Sequence, residues 1–399
     1  MWHKIPRLSL KIYLLHLLIN RGLYLCKKDK FIGTIWKTHF PYSSKNRGCQ
    51  ISQNLEQLTF EDFDKFDRKQ FAERLTKVIT KFHPFYDDAF VLSLNAKFGS
   101  GKTTFQRMWK RHLEKQSFEV ISINAWETDF DDEPLIPIVS AILNKIGSQS
   151  KSAKVKAALG VALGAAALTT SQIVKHNTGI DVGETTTSVK TKLNKGDLKK
   201  IGSELYKTFS FKETAYSTLK IQLAEYIETL DVKPLIIFVD ELDRVRPDYS
   251  VKFLEAIKHI FSVQGICFVL AVDRIQLEIS VKQLYGDMDF ENYYRRFITR
   301  EAYLPEVSNL NLKPFIEFLG RDFFDEKRNA GVHFPFKQNH QSGILDFISD
   351  FCQASRLVPR EIEAFFRIFS QFMAVAEPAQ NGKTEWVKAS AFLIGTSIY

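Results

Sequence analysis

Cysteine is scarce in this 399-residue chain: Cys26, Cys49, Cys267 and Cys352 stand far apart, with no two at metal-ligand spacing. That excludes a thiolate zinc site and a disulfide scaffold, and it fits a reducing, cytoplasmic setting. Long apolar runs are lacking too. Residues 8–19 are interrupted by Ser9, Lys11 and His16 and are followed by no small-residue cleavage site, so neither a bilayer span nor a signal peptide is predicted there. Acidic residues are missing from one region only: residues 1–50 hold ten Lys or Arg against Asp29, whereas the remainder balances 45 basic and 45 acidic side chains. The net charge of +9 is therefore a property of an N-terminal arm. Interleaved with Trp2, Tyr13, Tyr24, Phe31, Trp36, Phe40 and Tyr42, the arm is either a contact for nucleic acid or anionic lipid, both dense in negative charge, or a solvated leader.

What is present is an apolar fraction of 45%, enough for a large α/β domain and a smaller lobe. Residues 59–82 carry Phe63, Phe66, Phe71, Leu75, Val78 and Ile79 at helical spacing, which predicts one helix leading into the core. Short apolar runs at 89–94, 118–123, 234–239 and 266–272 read as strands buried on both faces, as parallel strands are. Helical stretches at 103–115, 134–146, 204–230 and 250–261 alternate with them, the pattern of an open parallel sheet flanked by helices. Residues 308–399 read as a Phe-rich helical lobe. The expected organisation is a basic segment over 1–58, a core over 59–307 and that lobe over 308–399.

The core is interrupted at about 147–203 by a stretch rich in Lys, Ser, Thr and Gly around an alanine block at 157–168. Even extended to 155–174, the block barely reaches the roughly 20 apolar residues that a spanning helix needs. A soluble or surface-lying helix is expected, with membrane contact through 155–174 as the alternative. Gly160 and Gly164 have the spacing that permits close helix contact in lipid.

The chemistry is carried by residues at strand ends. After the first strand comes Ala96-Lys-Phe-Gly-Ser-Gly-Lys-Thr103, followed by Thr104 and a helix. A loop of small residues lets several backbone N–H groups point at one phosphate, and the helix N-terminus adds partial positive charge. Lys97, Phe98, Gly99, Ser100 and Gly101 form that cradle, Lys102 reaches the β- and γ-phosphates of a nucleotide, and Thr103 ligates Mg2+. Ala96 stands where the full pattern has glycine. After the third strand, Asp240-Glu-Leu-Asp-Arg244 supplies the complement: Asp240 for the magnesium shell and Glu241 to orient and deprotonate the attacking water. Asp273 closes the fourth strand, where it senses the γ-phosphate or the water, or is an ordinary strand-end carboxylate. Cations for transition-state charge are Arg244, Arg295, Arg296 and Arg360, acting within the chain or from a neighbouring subunit. The expected nucleotide is ATP.

The order Asp67-Arg68, glycine loop, Asn124-Ala-Trp126 and Asp240-Glu-Leu-Asp-Arg244 resembles the KAP family of P-loop NTPases over roughly residues 60–370, as do Phe253-Leu-Glu-Ala-Ile-Lys258, Ala271-Val-Asp-Arg274 and Leu357-Val-Pro-Arg-Glu-Ile-Glu363. The resemblance implies an additional strand between the two nucleotide motifs, a catalytic Glu241, ATP hydrolysis coupled to conformational change, and Arg360 approaching the nucleotide from the helical lobe. It also implies bacterial relatives that include phage-excluding systems, animal relatives that are membrane signalling scaffolds, and membrane helices inserted between the motifs, hence a location in the cytoplasm or at the inner face of the plasma membrane. Read without the family, Trp126 is a packing residue and Asn124 caps a turn. Three functions are in play: an ATPase acting as a switch or motor with protein partners or self-association, a nucleotide-gated scaffold with little turnover, and a nucleic-acid effector working through residues 1–50.

Overall fold

The computed structural model describes residues 58–130, 132–146, 153–167, 195–329 and 341–375. The basic arm at 1–50, much of the expected insertion and residues 376–399 lie outside the described residues. Strands β1 (Phe90–Asn95), β2 (Val120–Asn124), β3 (Leu235–Asp240), β4 (Ile266–Val272) and β5 (Arg300–Tyr303) form one sheet in the order β2-β3-β4-β1-β5. Every neighbouring pair is parallel. β1 and β4 are buried at every residue and β3 at all but Asp240, which is why these segments are apolar without alternation. β4 lies between β1 and β3, the additional strand that the resemblance implies.

Two features depart from the sequence reading. β5 has the sequence Arg-Glu-Ala-Tyr, mostly exposed; among the described strands it is an edge strand paired with β1 alone, so no apolar run announces it. The helix expected over 59–82 is two helices, α1 (Phe60–Phe63) and α2 (Lys69–Phe82). Between them the Asp64 carboxylate accepts hydrogen bonds from the backbone N–H groups of Arg68 (2.9 Å) and Lys69 (2.8 Å), and Asp67 turns the chain at φ 53°. A short acidic side chain that satisfies the free N–H groups of a new helix is a start signal, and here it breaks a pattern whose apolar spacing runs through unbroken.

The remaining core helices are α3 (Lys102–Lys115), α4 (Leu135–Ile146), α5 (Ala153–Ala167), α6 (Lys195–Glu228), α7 (Pro247–His259), α8 (Arg274–Tyr285) and α9 (Phe290–Tyr294). On α3, Phe105, Met108, Trp109 and Leu113 recur at helical spacing and are buried against the sheet. The alanine block forms α5, whose Val155, Ala158, Leu159, Ala162 and Ala166 belong to the main apolar core with residues of α4 and α6. Gly160 and Gly164 have open space where a Cβ would stand, so their spacing serves no close packing here. Among the described residues no helix is long and apolar enough to cross a membrane; residues 168–174 lie outside that description.

Beyond β5 come α10 (Asn309–Asn329), α11 (Gln341–Ala354) and α12 (Pro359–Val375), a helical C-terminal region. Its own core holds Phe315, Ile316, Ile344, Ile348, Phe365 and Phe369, and Phe66 from the α1–α2 junction packs on Phe315 at 5.0 Å.

Candidate functional site

The glycine loop leaves the end of β1 and is fastened to β4. Ala96 N–H donates to Val272 O (3.1 Å), and Phe98 N–H donates to Asp273 Oδ2 (3.1 Å). Gly99 and Gly101 have φ values of 80° and 89°, conformations that a Cβ makes costly, and α3 begins immediately after them with no side chain capping its first N–H groups. The loop thus ends in an uncapped helix N-terminus. Lys97 and Thr104 are exposed, Ser100 is half-buried, and Lys102 is buried at the base of the loop.

The charge balance around Lys102 is the electrostatic centre of the site. Its ammonium donates to Ala96 O (2.6 Å) and stands 3.8 Å from Asp243 Oδ2, whose side chain is also buried. Burial pushes the Lys102 pKa down, and Asp243, Asp273 and Asp240 oppose that shift. Asp240 sits at the end of β3 and accepts a hydrogen bond from the Thr103 hydroxyl; burial, then the charge of Glu241, push its pKa up. Asp243 is pushed up by burial as well, with Lys102 opposing. Three carboxylates around one ammonium leave negative charge in excess, and the arrangement of hydroxyl and carboxylate oxygens at Thr103 and Asp240 suits a hard divalent cation such as Mg2+.

Glu241 follows Asp240 at φ 61°, and its Oε1 lies 2.8 Å from Arg244 Nη1. Asp273 is committed through both oxygens: Oδ1 accepts from Ile275 N–H as the cap of α8, and Oδ2 holds Phe98. Its geometry is that of a strut for the loop. Asn124 Oδ1 accepts from Trp126 N–H, the turn-capping expected of it, and Ala125 N–H ties that turn to Asp240 O. Trp126 itself is 59% exposed, contrary to its reading as a packing residue, because the turn after β2 projects the ring outward.

The arginines separate. Arg360, at the start of α12, donates its backbone N–H to Gly99 O (3.2 Å), and its guanidinium lies 4.5 Å from the centre of the Phe98 ring. The Arg244 guanidinium lies 4.4 Å from the same ring. Arg295 pairs with Glu291, and Arg296 lines a hollow near the start of β1, with Ala89 and Val91, whereas the loop leaves the end of that strand. Within one chain, therefore, Arg244 and Arg360 are brought to the loop and Arg295 and Arg296 are not.

Two residues were given no role by sequence reasoning. One is Asp243, the partner of Lys102. The other is Arg68, which is 3% exposed and donates to Ser100 O (3.0 Å) and Pro305 O (2.9 Å), bracing the loop against the segment after β5. Burial lowers its pKa to about 10. The only signal for Arg68 was its place in the motif order; its reach across the fold is not written in local spacing.

The contact between the loop and α12 gives a direct check. A Cβ added at Gly99 would stand 2.9 Å from Arg360 Cβ and 3.2 Å from Val358 Cγ2, at a φ that L-residues avoid. Gly99→Ala is expected to lower the unfolding free energy by about 1–2 kcal/mol in chemical denaturation. An unchanged midpoint would mean that α12 does not pack on the loop.

Compared with known proteins, the chain matches the model of the KAP family P-loop domain over residues 68–375. No curated protein matches it significantly. Among solved structures, the Aeropyrum pernix ORC2 protein in ADPNP-ADP complexes aligns at 14% identity and a TM-score of 0.37, over 82% of this chain and 68% of that one. C. elegans PCH-2 aligns at 12% identity and a TM-score of 0.34, over 86% and 71%. A Thermotoga maritima RuvB mutant aligns at 10% identity and a TM-score of 0.33, over 84% and 72%.

Proposed function

Because the chain belongs to the KAP family of P-loop domains, we propose that it binds ATP with Mg2+ on the loop from Ala96 to Thr104 and hydrolyses it. The observation that carries this reading is the meeting of Thr103 with Asp240 from β3 beside the buried Lys102, since a triphosphate needs cations where its charge accumulates and a metal-binding pair beside them. Thr103 and Asp240 are the residues that would hold Mg2+, which when bound supplies charge neutralisation on the phosphate oxygens. The backbone N–H groups at the start of α3 and the Lys102 ammonium hold the phosphates, while Arg68 and Asp273 keep the loop in shape.

Glu241 takes a proton from water as the water oxygen bonds to the γ-phosphorus; the bond from that phosphorus to the β,γ-bridging oxygen breaks, and ADP keeps the electron pair. Arg360 supplies positive charge to the bound nucleotide while α12 rests on the loop. Arg296, remote from the loop of its own chain, would serve only the loop of a second copy. We read the chain as a core over 59–307 and a helical lobe over 308–399, with hydrolysis switching the contact between them. A role in bacterial defence against phage is carried over from the resemblance.

Lys102→Ala tests the nucleotide site. Loss of charge-assisted hydrogen bonds to phosphate is expected to weaken ATP binding by about 10–100-fold and to stop phosphate release. Binding and release at the parental level in that variant would sink the reading.

A further inference from the structure

Glu241 is not free to act as a base. Its carboxylate is paired with Arg244 at 2.8 Å, the Arg244 N–H donates to Glu241 O (3.1 Å), and its backbone at φ 61° is one that Cβ-bearing residues rarely adopt. A carboxylate oxygen that accepts from a guanidinium is occupied by that donor. The same guanidinium lies 4.4 Å from the centre of the Phe98 ring, and that of Arg360 lies 4.5 Å from it. Each guanidinium is attracted to the ring and is also held by other contacts. For Arg360 those contacts are its backbone bond to Gly99 and the packing of α12 on the loop. For Arg244 the contact is Glu241. Base, phosphate loop and helical region are therefore joined through one exposed aromatic side chain.

We propose that Arg244 is a latch on the hydrolytic base, holding Glu241 in an ion pair while Phe98 is clamped against Arg360 and releasing it when α12 leaves the loop. Arg244 is a positioning residue in this role, and the inference rests on the ATPase reading above. With the latch closed, the chain holds ATP and turns it over slowly. When α12 departs, Arg360 is withdrawn, Phe98 is freed to move, and Arg244 loses the stacking surface that orients it toward Glu241.

The role has the opposite sign from transition-state stabilisation, the other task open to an arginine here. Phosphate release by the full-length chain at saturating ATP and Mg2+, together with ATP binding, separates the two. Arg244→Ala is expected to raise kcat about five-fold, the scale of one partly exposed ion pair, with the KM for ATP unchanged. Phe98→Leu, which keeps bulk but removes the ring face, is expected to raise kcat by a smaller factor. The double variant Arg244→Ala/Glu241→Gln is expected to fall to the level of Glu241→Gln alone. A parental or lower rate in Arg244→Ala overturns the latch and leaves the ATPase standing. Should Arg244→Ala no longer bind ATP, Phe98→Leu decides, and an unchanged rate there overturns the latch. Absence of release from the parent and both single variants overturns the ATPase reading and the latch with it.

Discussion

Glu241→Gln is expected to leave ATP bound and to slow phosphate release by about 10²–10⁴-fold, the range that a positioned general base contributes. The substitution keeps the length and shape of the side chain, and its amide oxygen still accepts from Arg244, so the turn at φ 61° and the packing around it are preserved. Proton acceptance is what is lost. Asp240, hydrogen-bonded to Thr103 and drawn up in pKa by burial, is placed to hold a cation and does not replace the missing base. Equilibrium ATP binding and single-turnover hydrolysis on the same preparation provide the measurement. A fall of less than about tenfold would move the base to another residue.

The second large effect concerns stability. Trp109→Ala is expected to lower the unfolding free energy by about 3–5 kcal/mol. The indole is fully buried on α3, 5.6 Å from the Phe105 ring and 5.2 Å from the Phe238 ring, with its Nε1 donating to Thr76 Oγ1 at 2.9 Å. It joins α2, α3 and β3 at one point. Removal leaves a large void that rigid neighbours fill only in part, although Thr76 keeps its own bond to Ala72 O and so is not stranded. Urea denaturation followed to completion gives the value. A loss under about 1 kcal/mol would mean that the three elements close over the gap.

How much of this was legible in the sequence depends on how local the cause is. Residues 266–272 read correctly as a strand because β4 is covered on both faces and paired on both edges, so every side chain is apolar. β5 did not read as one because an exposed edge strand has no burial to impose a pattern. The break at Asp64–Arg68 was hidden for a different reason: a side-chain cap costs no apolar position, so the helical spacing carries across it. At the site, the placement of Asp240 and Glu241 at the end of β3, and of Lys102 and Thr103 at the start of the helix after β1, was legible because the buried strands before them are. Arg68, Asp243 and the choice between Arg296 and Arg360 were not. Their positions follow from where the helices pack, and no spacing along the chain encodes the 3.2 Å contact between Arg360 and Gly99.

The place of β1 in the sheet has a consequence in time. Its two neighbours are β4 and β5, and both are encoded after α6 and β3. At a synthesis rate of roughly 5–20 residues per second, a nascent chain carries Phe90–Asn95 without either partner for on the order of ten seconds or more. During that interval the glycine loop exists as sequence, yet Val272 O and the Asp273 carboxylate that fix its shape have not been made. A chain halted before Val272 therefore contains every residue of the loop and presents an unpaired apolar strand where the nucleotide site should be.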